Sequence, residues 1–293
     1  MDGRPPLDPF RAAVAALGSA FIYLLIRLFG RRVTQAEAPW LWGPFGGDYI
    51  GDKPYEECAE REALTLTRNA AAGGLIPDFA ALDGDGFRLA DVHPAVRDFY
   101  EHTAEFRMDV WAETRFPMNL GLWLLVTTIS RKVNQLNFPL RALDTARGMD
   151  SEIVLLSEPT GRVRYAGWYR RLADSGRVIY TGFYMTERVP HCARPCVKVV
   201  FPMPEGNATV VLRPSVDERG EFRLSSEGER FGDAGFYRVQ RGNDGHVRAW
   251  RIASLKELFR VYVDDAGTLR CDHNVRFWGM PVLNLHYRIE RKR

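Results

Sequence analysis

Arg162-Val163-Arg164-Tyr165-Ala166-Gly167-Trp168-Tyr169 and Arg177-Val178-Ile179-Tyr180-Thr181-Gly182-Phe183-Tyr184 are two versions of one short sequence. Both are rich in β-branched and aromatic residues, which suit a pleated sheet. Ala173-Asp174-Ser175-Gly176 between them is a turn former, so the pair predicts a β-hairpin. With Leu172 opposite Arg177, Gly167 falls opposite Gly182, Tyr165 opposite Tyr184 and Tyr169 opposite Tyr180. Because side chains alternate, all six then share one face. The expected result is a notch of bare backbone walled by four tyrosines. Glycine weakens a strand, so the pair marks a corner of a curved sheet, a seat for a packed helix, or the close approach of a ligand. A ligand there is expected to be flat and largely apolar, gripped by ring faces and oriented by phenol hydroxyls.

The period of two extends through the C-terminal half. Candidate strands are Ile153–Ser157, Arg162–Leu172, Arg177–Glu187, Cys196–Pro202, Ala208–Arg213, Glu221–Ser226, Gly235–Arg241, His246–Ala253, Leu258–Asp264, Thr268–His273 and Val282–Ile289. Glu205-Gly206-Asn207, Glu218-Arg219-Gly220 and Asp265-Ala266-Gly267 are among the hairpin-type separators. Strands in succession without helices imply an antiparallel meander, which at this size curls into a barrel or sandwich or wraps a helix. In the last strand Leu283, Leu285, Tyr287 and Ile289 lie on one face and Val282, Asn284, His286 and Arg288 on the other. Facing solvent, the polar row is an outer surface. Facing a barrel interior, His286 and Arg288 become an acid–base and anion-stabilising pair, with Asn284 beside them.

Before residue 150 the periodicity is helical. Ala12–Ile26 is an uncharged apolar run flanked by Arg11, Arg27, Arg31 and Arg32; it reads as a docked helix, a membrane-surface contact or a signal segment. Tyr55–Ala72 stops at Gly73-Gly74, and Pro94 opens a helix expected to reach Thr114. On that helix Val96, Phe99, Thr103, Phe106 and Val110 make the apolar stripe, with Asp98, His102, Glu105 and Asp109 on its polar flank. Asn119–Phe138 reads as an amphipathic helix with one apolar end. The expected fold class is therefore α+β. A helical N-terminal part (1–150) packs on, or plugs, a curved antiparallel sheet or barrel of about ten strands (151–293), as one integrated unit.

The 293 residues are 46% hydrophobic and 26% charged, with a net charge of +3, which excludes a disordered chain and argues against a nucleic-acid binder. Four cysteines are too few for a disulfide framework, so a reducing, cytoplasmic setting is expected, with peripheral membrane contact through Ala12–Ile26 as the variant. His191, Cys192, Cys196, Cys271 and His273 form a zinc-compatible set only if distant strands meet, and no metal is expected. Strand arginines such as Arg162, Arg164, Arg170, Arg171, Arg248 and Arg251 are expected to coat the outside, and Arg230 to pair with Asp233. Phosphate-cradling loops and activated nucleophiles are missing from the sequence, so no cofactor is expected. The leading expectation is an apolar small molecule of lipid, isoprenoid or polyketide type, bound by Tyr165, Gly167, Tyr169, Tyr180, Gly182, Tyr184 and Asn284. Any chemistry would be cofactor-independent cyclisation, isomerisation or hydration, with His286 or His102 as acid/base and Arg288 stabilising charge. A non-catalytic carrier and a membrane-associated scaffold with a filled core are the alternatives.

Overall fold

The computed structural model describes residues 9–46, 53–114, 149–172, 176, 178–203, 205–242 and 244–292. In chain order its elements are α1 (Pro9–Phe29), β1 (Arg31–Thr34), α2 (Pro54–Glu62), β2 (Thr65–Thr67), α3 (Pro94–Glu101) and β3 (Phe106–Thr114). An unbroken series of strands follows: β4 (Met149–Ser157), β5 (Val163–Leu172), β6 (Val178–Glu187), β7 (Cys196–Met203), β8 (Gly206–Val216) and β9 (Phe222–Ser225). It ends with β10 (Gly235–Arg241), β11 (His246–Arg251), β12 (Leu255–Val263), β13 (Leu269–Phe277) and β14 (Met280–Arg291). Each candidate strand after residue 150 is present, several longer than alternation alone marks. The candidate helix Asn119–Phe138 lies outside the described residues.

The protein is α+β, dominated by one antiparallel sheet of 14 strands in the order β2-β4-β5-β6-β7-β8-β9-β12-β13-β14-β3. The long strand β8 splits that sheet. Its first half, Gly206 to Val211, pairs with β10, which continues to β11 and β1, whereas Arg213 to Val216 pair with β9. The expected barrel of about ten strands is thus corrected: there are more strands, and no ladder joins the ends β2 and β3 among the described residues. The extra strands come from the N-terminal part, where β1, β2 and β3 pair with β11, β4 and β14.

Two expected helices are shorter than their apolar spacing suggests. The helix from Pro94 ends at Glu101, passes through a tight turn at Thr103–Glu105 and becomes β3. Phe106 and Val110 fit steps of three and four, but Phe106, Met108, Val110 and Ala112 also alternate as one strand face, and pairing with β14 decides between the two. The helix from Tyr55 stops at Ala63, whose φ of 52° is left-handed, and Leu64-Thr65-Leu66-Thr67 then alternates into β2.

The main core lies where the sheet wraps the segment from Leu75 to Phe106. Phe79, Phe87, Tyr100 and Phe222 stack there with centroids 5.2 to 6.4 Å apart, and burying each such ring contributes about 1.5–3 kcal/mol. A second cluster joins Trp40 and Leu41 to the β10–β11–β1 branch, and a third joins α2 to the other face of β4–β6. Arg170 departs from the expected outer coat. It is buried, with its guanidinium 4.8 Å from the Trp168 ring centroid and 5.5 Å from that of Tyr287. No helix among the described residues is long and apolar enough to cross a membrane.

Candidate functional site

The β5–β6 hairpin forms, one residue out of the expected register. Gly167 opposes Phe183 and Gly182 opposes Trp168, with an irregularity between Arg170 and Arg171 near the turn. A shift of one residue sends side chains to opposite faces. Tyr165 and Tyr169 therefore pack with α2, whereas Tyr180 and Tyr184 face the main core. The four-tyrosine notch does not assemble. The seat at Gly167 is filled by a helix side chain: a Cβ there would stand 2.3 Å from the Tyr55 ring. The Tyr55 hydroxyl reaches on to donate to the Gly182 carbonyl at 3.3 Å. On the other face the Tyr180 ring folds over Gly182, and its hydroxyl lies 2.8 Å from that of Tyr184.

The polar row of the last strand faces outward, since Leu283, Leu285 and Ile289 are the buried set. His286 Nδ1 lies 2.8 Å from Asp272 Oδ1, and Asp272 also accepts from the Tyr262 hydroxyl at 3.3 Å. Asn284 pairs with Asn274 across the ladder, and Arg288 pairs with Glu290. This places His286, Arg288 and Asn284 on an outer sheet face rather than inside a tyrosine-rich cavity. His102 sits 3.0 Å from Asp98, which Arg291 bridges to Glu105, while Asp109 lies opposite Arg288 on β3. The expected single polar flank is thus divided between α3, the turn and β3.

The cysteine–histidine set stays apart: Cys192 and Cys196 border the cluster around Trp40, whereas Cys271 and His273 lie on β13, the histidine stacked on Phe259 at 3.8 Å. Among the described residues no three His, Cys, Asp or Glu side chains are grouped to hold a metal ion. Asp233 pairs with Arg213 of β8 rather than with Arg230.

Two spaces remain. The first is an open cleft of about 1080 Å³ between the Trp42–Phe45 segment, the end of α2 and the ends of β5 and β6. Its charged lining includes Arg61, Arg162, Arg164, Arg241 and Lys198 against Glu62, Asp78, Glu158 and Glu187. On its wall the Tyr165 hydroxyl donates to Glu62 at 2.9 Å and accepts from Arg164 at 3.2 Å. Burial, then the Glu62 charge, push the Tyr165 phenol above its ordinary value, so it is a hydrogen-bonding group there and not an acid at neutral pH. Lys198 is 1% exposed; its amine donates to the Trp42 carbonyl at 2.6 Å and lies 3.5 Å from Glu187. Burial lowers its pKa to about 8, against the opposing pull of Glu187.

The second space is an apolar cavity of about 50 Å³ inside the curled sheet, room for a few waters at most. Phe99, Tyr100, Met108, Trp168, Phe259 and Tyr287 are among its walls. Leu75 and Tyr184 line both spaces, so the charged cleft and the apolar interior share a wall. Of the residues expected to hold a ligand, Tyr165 and Tyr184 border the cleft, and none of Tyr169, Tyr180 or Asn284 borders either space. The signal that sequence reading passed over is Lys198 itself, a lone cation in the apolar run Val197-Lys198-Val199-Val200-Phe201. Comparison with protein-family models, with curated proteins and with solved structures gives no match, so geometry alone carries the reading of this site.

Proposed function

We propose that the protein binds an acidic amphiphile, such as a fatty acid or an acidic isoprenoid. The head group would lie in the cleft and the apolar body would enter the sheet interior. The observation behind this reading is the wall of Leu75 and Tyr184 common to a charged cleft and an apolar cavity. Arg162 is already paired with Glu158, and Arg164 lies 3.3 Å from Glu62; Arg61 and Arg241 at the rim supply positive charge to a carboxylate. The cavity is too small for a hydrocarbon chain as it stands, so entry displaces Leu75 or turns the Tyr184 ring. The buried His273 lies 3.7 Å from Glu257 but borders neither space, and a cavity lined by apolar side chains favours carriage over acid–base catalysis.

Protein purified without detergent should give a one-to-one adduct with palmitate in native mass spectrometry, and titration should quench tryptophan fluorescence through Trp168 and Trp42. Methyl palmitate should bind about tenfold more weakly, as should palmitate to the Arg61→Glu/Arg241→Glu variant. Equal binding of acid and ester removes the head-group part of the reading, and binding of neither removes all of it.

A second surface bears on where such a ligand is taken up. Of the nine large apolar side chains exposed among the described residues, six lie on α1: Leu17, Phe21, Tyr23, Leu24, Leu28 and Phe29. Arg27, Arg31 and Arg32 gather at the end of that helix. This combination suits an anionic lipid surface, with α1 as the contact.

A further inference from the structure

The hairpin that joins β13 to β14 turns on two residues, Trp278 and Gly279, between the paired Phe277 and Met280. Both have positive φ, 48° and 77°, the backbone of a type I′ turn. Such a turn favours Asn-Gly, because a bulky side chain in the left-handed region is strained. Tryptophan stands there all the same, and its ring gains little from the fold. At 73% it is the most exposed large apolar side chain among the described residues, touching Phe277 at a centroid distance of 4.4 Å. Met280 beside it is exposed too. The tip is anchored, since the Trp278 N–H donates to the Ser254 carbonyl at 2.8 Å. Next to it Lys256 and Arg276 stand directly opposite each other across the β12–β13 ladder. Like charges so placed repel, and neither side chain has an ion pair or hydrogen bond among the described residues. Backbone strain and charge repulsion, two features that weaken the fold, thus meet at one corner of the sheet.

We propose that this tip is a membrane-inserting element: Trp278 and Met280 enter the interface of an anionic bilayer while Lys256 and Arg276 meet its phosphate groups. An indole suits that depth, being apolar over most of its area with one N–H to donate to a head group. The two cations supply the attraction that a lone apolar tip lacks, and lipid anions relieve the repulsion between them. Size argues against a protein partner. The turn from Phe277 to Met280 covers far less than the roughly 800 Å² per side of a stable protein interface, whereas a bilayer needs no matching groove. The tip adds a second contact to the one read for α1 and rests on the same bilayer. Two weak contacts together give stable attachment where one alone is marginal.

The test is a titration of the full chain with phosphatidylglycerol vesicles, followed by energy transfer from tryptophan to a dansyl lipid. Trp278→Asn should bind about tenfold more weakly while its urea midpoint rises, because asparagine suits the turn. Lys256→Glu/Arg276→Glu should also bind these vesicles at least about tenfold more weakly, with binding to phosphatidylcholine vesicles unchanged. Bromine-labelled acyl chains should quench the wild type and quench Trp278→Asn by a smaller fraction. Wild-type binding that Trp278→Asn or the charge variant leaves unchanged would overturn the tip and spare α1, whereas absence of wild-type binding would end both. A lower urea midpoint in Trp278→Asn would show that the indole serves the fold, and would overturn the proposal as well.

Discussion

Lys198 is the residue at which burial and charge compete most openly. Its amine has lost its water to the sheet and gained the Trp42 carbonyl and a distant Glu187 in return, and the pKa of about 8 records the imbalance. In the unfolded chain the same amine titrates at about 10.4. Below about pH 8 both states hold the proton and this group adds no pH dependence. Between about 8 and about 10 the unfolded chain keeps the proton and the folded chain releases it, so stability rises with pH, by up to about 1.4 kcal/mol per unit. Urea denaturation of the wild type across that window should show this rise, and Lys198→Met should remove it; an unchanged slope in the variant would mean that the amine is not desolvated. The lysine was visible in the sequence as a charge inside an apolar strand. Its depth was not, because the cover comes from Trp42, 156 residues away along the chain.

At the scale of elements, β5 and β6 show how far periodicity reads and where it stops. Both strands and their antiparallel pairing follow from alternation, but the register depends on the turn and on the irregularity at Arg170/Arg171. That one-residue difference separates the tyrosines. It also gives the two glycines different duties: Gly167 seats the Tyr55 ring, and Gly182 offers its carbonyl to the Tyr55 hydroxyl. Gly167→Ala should therefore destabilise the protein by about 1–3 kcal/mol through overpacking. Gly161, at φ 85° with open space around its missing Cβ, should cost only backbone strain, about 1–2 kcal/mol on substitution by alanine. Denaturation of Tyr55→Leu and of the double variant with Gly167→Ala should reveal non-additivity of at least about 1 kcal/mol, because the leucine frees the space the new methyl needs. Additive losses would show that the ring and the glycine are not in contact. The segment from Phe106 teaches the same lesson from the other side. Phe106 and Val110 satisfy both periods, and only the β14 ladder resolves them into a strand.

Across the whole molecule, the strand series after residue 148 was legible because hairpin turns and alternation are local. Neither the split of the sheet at β8 nor the return of β1, β2 and β3 to three separate places was legible, since those pairings join distant parts of the chain. The apolar run at the N-terminus was legible, and the structure adds that it is nearly bare. Among its described side chains only Ile26 is buried, where the helix meets β11 and Arg248 donates to the Arg27 and Gly30 carbonyls at its end. So much exposed apolar surface needs a cover. If that cover is an anionic bilayer, the full chain should float with phosphatidylglycerol vesicles and much less with phosphatidylcholine vesicles. High salt should weaken the association by screening Arg27, Arg31 and Arg32. Leu24→Glu/Leu28→Glu should abolish flotation while leaving palmitate binding by the soluble fraction unchanged, because neither residue borders the cleft or the cavity. Sedimentation supplies the opposing outcome: a wild-type dimer that the same two substitutions dissociate, with no flotation of either form, would make a second copy of the chain the cover and end the membrane reading.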